Sequence, residues 1–169
     1  SELLRIEKIA SENNKVVDVA IRFNPEVDSG GHEYIKTGRK GDKFGISPND
    51  LVLKLSHYIY NSNHLRLIGL ACHIGSQIGD LESYKLTAIN IRQLAEEIDK
   101  TGNELKFLDL GGGLGIPYNS DKAPSPKDLV ATIEEELKDR NEKIILEPGR
   151  SITGNAGILL TKVEYIKDN

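Results

Sequence analysis

Leu65-Arg66-Leu67-Ile68-Gly69-Leu70-Ala71-Cys72-His73-Ile74 is apolar almost throughout, and a second apolar run, Phe107-Leu108-Asp109-Leu110, closes on Gly111-Gly112-Gly113. Between them, residues 83–100 repeat apolar side chains at helical spacing through Leu86, Ile89, Leu94 and Ile98. Strands that lack polar alternation and are separated by a helix predict a parallel sheet buried on both faces.

The same alternation extends in both directions. Upstream, Leu3, Leu4, Ile6, Ile9 and Ala10 mark a helix, residues 16–23 a β-branched strand ending at Asn24-Pro25, and Ser47-Pro48-Asn49-Asp50 a start signal for a helix through Val52, Leu55 and Ile59. Glycine and polar residues crowd positions 28–42 and predict a long loop. Downstream, residues 127–137 form a helical pattern with Leu129, Ile133 and Leu137, and residues 144–146 a short strand ending at Glu147-Pro148-Gly149-Arg150. The class is α/β. Doubly wound sheets and (β/α) barrels share this pattern, and four strands amount to half of an eight-stranded barrel. Residues 158–166 alternate, with Leu160, Lys162, Glu164 and Ile166 on one face, and follow no helix, so they predict the opening of an all-β region. The expected division is 1–155 as the α/β segment and 156–169 as the beginning of a β domain.

Composition narrows the function classes. The 22 Lys and Arg against 26 Asp and Glu leave a net charge of -4, which provides no basic field for nucleic acid or an anionic membrane. No apolar run is long enough to span a bilayer, and the first residues are too charged for a signal peptide, so a cytoplasmic domain is expected. Cys72 is the single cysteine and has no partner for a disulfide or a zinc cluster. The four histidines show no metal-binding spacing, and no metal is expected. The absence of Met, even at position 1, predicts a chain that begins within a longer polypeptide.

Chemistry-bearing residues cluster after the strands, where α/β folds bind ligands. Gly111 to Gly113 offer backbone N–H groups that an anion could approach closely, or a tight turn that needs positive φ angles. Their spacing fits neither the dinucleotide fingerprint nor a P-loop. Glu147 and Arg150 stand three positions apart, as a local ion pair or as a site supplying an anion for a pyridine nitrogen and a guanidinium for phosphate or carboxylate. His73, taken alone, reads first as a satisfied core or rim residue and second as part of a site, with Cys72 pointing the other way beneath a helix.

Jointly, these blocks resemble the fold type III pyridoxal phosphate (PLP) decarboxylases, which have an alanine racemase-like barrel. Phe23-Asn24-Pro25-Glu26-Val27, His73-Ile74-Gly75-Ser76-Gln77, residues 108–113 and Glu147-Pro148-Gly149-Arg150 occur in the family's order. His32-Glu33-Tyr34-Ile35-Lys36-Thr37-Gly38 with Lys43-Phe44-Gly45-Ile46 is most similar to the diaminopimelate decarboxylase branch. The resemblance implies about half of a PLP-binding, TIM-like barrel from an enzyme that converts meso-diaminopimelate to L-lysine as a homodimer. It further implies that His73 stacks on the cofactor ring and Glu147 pairs with its nitrogen, as the catalytic residues. Ser76, Gly111, Gly112, Gly113 and the Pro148-Gly149-Arg150 turn would complete the cofactor site, and Arg150 would touch phosphate or a substrate carboxylate. Residues 28–42 would form a lid with flexible points at Gly30, Gly31, Gly38 and Gly41.

The chain departs from the family pattern in lacking the block with the Schiff-base lysine and the downstream Cys, Asp and Tyr of the dimeric site. On its own it is expected to be inactive. Alternatives are decarboxylation of ornithine, arginine or a related diamino acid, a noncatalytic PLP-binding regulatory homologue, and a phosphate-binding barrel unrelated to PLP.

Overall fold

The computed structural model describes residues 2–27, 44–47, 49–118 and 123–167. Helices and strands alternate as α1 (Glu2–Glu12), β1 (Val17–Arg22), α2 (Asn49–Tyr60), β2 (Leu65–Ala71), α3 (Glu82–Asp99), β3 (Phe107–Asp109), α4 (Pro126–Leu137), β4 (Lys143–Ile145) and α5 (Arg150–Thr153). The four strands form one parallel sheet in the order β1-β2-β3-β4. Each strand lies beside its predecessor, as the helical crossovers require.

Register explains which face is core. Ile21 lies opposite Leu70, Leu70 opposite Leu108, and Leu108 opposite Ile144, so these four share a face. Leu70 and Leu108 are fully buried there with Ile91, Ala95 and Ile98 of α3. Burying each leucine contributes about 2 kcal/mol. The opposite face carries the row Arg22, Ala71, Asp109 and Ile145. Ala71, Asp109 and Ile145 are only half-buried and Arg22 is exposed, so the apolar runs are covered fully on one face alone among the described residues.

One irregularity interrupts the ladder. Val19 pairs with Leu67 but Ala20 pairs with Gly69, so β2 carries one extra residue, Ile68, as a bulge. Beyond it, Gly69 lies opposite Phe107, whose ring occupies the space that a side chain at 69 would need.

Local chemistry sets the helix starts. Ser125 caps α4 by accepting from the Asp128 N–H at 3.1 Å, with Pro126 in the first turn where its missing N–H costs nothing. Asp80 takes the Ser83 N–H at 2.7 Å at the start of α3. No helix among the described residues is long and apolar enough to cross a membrane.

The strand expected over 158–166 does not form. Ile158, Leu159, Leu160, Tyr165 and Ile166 are nearly fully exposed and belong to no ladder. An alternating sequence becomes a strand only where another strand takes its backbone N–H and C=O groups, and none of the described residues does so.

Candidate functional site

The parallel sheet brings four loops to one edge, because all four strands end there. Hydrogen bonds continue past the strands and hold the loops in step: Phe23 N–H to the Ala71 carbonyl and Cys72 N–H to the Asp109 carbonyl, both at 2.9 Å, Leu110 N–H to the Ile145 carbonyl at 3.1 Å, and Glu147 N–H to the Gly111 carbonyl at 2.8 Å. The edge therefore gathers Asn24, His73, Ser76, Gly111 to Gly113 and residues 147–150.

The glycine run answers first to packing. Gly111 and Gly113 have φ of 71° and 96°, a region that other residues avoid. A Cβ on Gly111 would stand 2.6 Å from the Cys72 carbonyl oxygen, and one on Gly112 would overlap the carbonyl oxygen of Glu147. The obstacles are backbone atoms, which cannot swing aside. Two N–H groups of the run are already engaged, Gly111 to Asp109 Oδ1 at 2.8 Å and Gly112 to His73 Nδ1 at 3.3 Å. The tight-turn reading is thus present in the structure, and the resulting surface is free of side chains.

His73 is half-buried beside this surface. Its Nδ1 accepts from Gly112, so that nitrogen carries a lone pair and the neutral ring bears its proton on Nε2. Burial, reinforced by the Arg22 charge, lowers the imidazole below its usual range, against the opposing pull of Glu147 and Asp109. Burial also raises the Asp109 carboxyl, with the Gly111 N–H opposing and Glu147 adding to the rise.

Glu147, Pro148 and Gly149 are exposed, and Ser76 and Arg150 half-buried. The ion pair that Glu147 and Arg150 could have made is absent among the described residues. Instead Arg150 Nη1 donates to Gln77 Oε1 at 3.3 Å, and the guanidinium lies 6.0 Å from the Tyr118 ring centre. Among the described residues no carboxylate pairs with this cation, so its charge remains available to an anion. Cys72 is buried on the helix side, as strand alternation requires.

Sequence reasoning assigned no role to three residues that build the site. Gln77 links two loops, Asp109 anchors the glycine turn, and the buried Tyr84 hydroxyl donates to the Gly112 carbonyl at 3.1 Å. Gln77 and Asp109 stood within the quoted strand-end blocks without a role, and Tyr84 as an aromatic hydroxyl on the buried face of α3. The lid over 28–42, its glycines, and the stretch from His32 to Gly38 lie outside the described residues. The lysines at β3 and β4, Lys106 and Lys143, stand at the opposite end of the sheet.

Comparison with known proteins agrees with this geometry. A diaminopimelate decarboxylase of Haemophilus influenzae is 44% identical over 172 residues, spanning 100% of this chain and 41% of its own length. That of Aquifex aeolicus is 44% identical over 168 residues, spanning 99% and 40%. The crystal structure of diaminopimelate decarboxylase from Helicobacter pylori complexed with L-lysine superposes with a TM-score of 0.86 at 34% identity, covering 89% of this chain and 38% of that one. The lysine decarboxylase of Selenomonas ruminantium, at 24% identity and a TM-score of 0.69, shares the fold. The chain thus spans about two fifths of the length of these relatives. Residues 1–154 match the family described as pyridoxal-dependent decarboxylase, pyridoxal binding domain. With that match over most of its length, and with its strand-end loops gathered on one edge, the chain belongs to the pyridoxal-dependent decarboxylases.

Proposed function

We propose that this chain is the cofactor face of a PLP-dependent enzyme that decarboxylates meso-diaminopimelate to L-lysine. The observation that carries the reading is the Arg150 guanidinium, unpaired with any carboxylate among the described residues, on the same edge as a neutral His73 ring and a surface without side chains. The residues fit the cofactor's two ends. Arg150, Ser76 and the turns of Gly111 to Gly113 and Pro148-Gly149 would hold its phosphate, an anion suited to a guanidinium. With the Gly111 and Gly112 N–H groups engaged within the protein, those two glycines would contribute a close approach free of side chains rather than donors. The neutral imidazole of His73 would lie against its ring, and Glu147 would hold a proton on its nitrogen.

When bound, PLP supplies a ring that accepts the electrons released as carbon dioxide leaves. Glu147 would favour that acceptance by keeping the ring nitrogen protonated, a carboxylate opposite that nitrogen favouring its charged form. His73 contributes a neutral face and adds no second positive charge to compete with Arg150. Arg150 would orient the anionic end, or a substrate carboxylate.

The complete enzyme is proposed as a cytoplasmic homodimer, with residues 156–169 beginning its β domain. Carbon dioxide release from meso-diaminopimelate, ornithine and arginine by the complete polypeptide carrying these residues, with PLP, tests the reading. Preference for meso-diaminopimelate is expected, with none released by residues 1–169 alone, which lack the lysine that would bind the cofactor covalently. Preference for another diamino acid would overturn the substrate, and no release from any would favour a regulatory homologue.

A further inference from the structure

The side chain of Gln77 does more than fill space at the strand ends. Its backbone is in the left-handed region, with φ of 58°, which costs a residue with a Cβ on the order of 1 kcal/mol. That turn lets two successive residues face the same neighbouring loop. Ile78 continues the ladder, donating its N–H to the Gly113 carbonyl at 2.9 Å and accepting from the Gly115 N–H at 3.0 Å. The Gln77 amide takes the next rung: Nε2 donates to the Ile116 carbonyl at 2.5 Å and Oε1 accepts from the Ile116 N–H at 3.2 Å.

The second lone pair of Oε1 accepts from Arg150 Nη1 at 3.3 Å. All three partners require the same orientation of the amide, since both N–H donors must meet oxygen and the carbonyl must meet nitrogen. Gln77 therefore joins the loops that follow β2, β3 and β4 and binds the guanidinium without neutralising it. A carboxylate at this place could still accept from Arg150 but would cancel its charge, and it would lose the donor that the Ile116 carbonyl meets.

We propose that Gln77 is a positioning residue that holds Arg150 charged and aimed at the phosphate of the cofactor; this rests on the function proposed above. The test is fluorescence titration of the complete polypeptide with PLP and, separately, with pyridoxal, which lacks the phosphate. Gln77→Glu is expected to weaken PLP about tenfold or more, as loss of a charge-assisted contact does, with pyridoxal affinity unchanged. Gln77→Leu should weaken PLP less, because Arg150 loses its support but keeps its charge. In an Arg150→Gln background, Gln77→Glu should weaken PLP by a smaller factor than in the unmodified protein, leaving only its direct repulsion of the phosphate. Unchanged preference for PLP in Gln77→Glu, or equal loss of both ligands, would overturn the role of Gln77 while leaving the cofactor reading intact. An unmodified protein that binds PLP no better than pyridoxal would overturn the phosphate reading itself.

Discussion

Nδ1 of His73 accepts the backbone N–H of Gly112 at 3.3 Å, so the loop after one strand dictates the tautomer of a side chain on the next. The bond requires an unprotonated Nδ1, and protonation of the ring would break it and place a second cation within reach of Arg22.

Stability should therefore depend on pH through His73. Its folded pKa lies below the ordinary imidazole value of 6.5, so between the two the unfolded chain holds a proton that the folded chain does not. Stability is then full above about pH 6.5 and falls as the pH drops toward the folded value. Asp109, raised by burial, acts with the opposite sign: its contribution is complete below its ordinary 3.8 and is lost as the pH rises through its folded pKa. Urea unfolding from pH 5 to 8 should show a steeper slope for the unmodified protein than for His73→Gln, and parallel slopes would disprove the assignment.

Gly112→Ala should destabilise by about 3 kcal/mol or more, because its Cβ meets a backbone carbonyl of the adjoining loop that no rotamer change can relieve. Gly79→Ala, with nothing near the added carbon, serves as the control. Denaturant midpoints for the two variants that agree would show that the strand ends are farther apart than described.

Tyr84→Phe should cost about 1–2 kcal/mol, since it leaves the buried Gly112 carbonyl without its donor. Burial pushes the Tyr84 phenol up, so the hydroxyl remains a donor across the usual pH range. A variant as stable as the parent in thermal unfolding would mean that water replaces the hydroxyl.

Cys72 should resist alkylation in the folded protein. It is buried, and burial together with Asp109 pushes its thiol far up, leaving little of the reactive thiolate. Iodoacetamide should label the single cysteine only after denaturant is added; rapid labelling of the native protein, followed by mass spectrometry, would contradict this packing.

The alternation of elements was legible because parallel strands and their helices write different periods into the chain. Leu65 to Ala71 needed no tertiary information beyond burial, whereas the stripe expected on α3 was only partly right: Leu94 and Ile98 are buried, Leu86 is exposed, and Tyr84, Thr87, Ala88 and Ile91 complete the covered face. The edge that carries His73, Gly111 to Gly113 and Glu147 was legible for the same reason, since parallel strands end on one side. What remained hidden were contacts between loops. The amide of Gln77 meets Ile116, 39 residues away, and Arg150, 73 residues away, and no local pattern encodes such meetings. Residues 158–166 show the converse: alternation gives a segment two faces, but its pairing depends on a neighbour that neither the pattern nor the described residues supply.

The bulge at Ile68 divides β2 into two halves under different control. Leu65 to Leu67 take their register from β1 alone, whereas Gly69 to Ala71 are also pinned by β3, up to the Cys72 N–H on the Asp109 carbonyl. A slip of one residue in the first half can be absorbed where a residue is already unmatched. The same slip in the second half would exchange the thiol and the imidazole between the greasy layer and the binding edge. A change of length can thus be absorbed at the entrance of this strand and not at its exit.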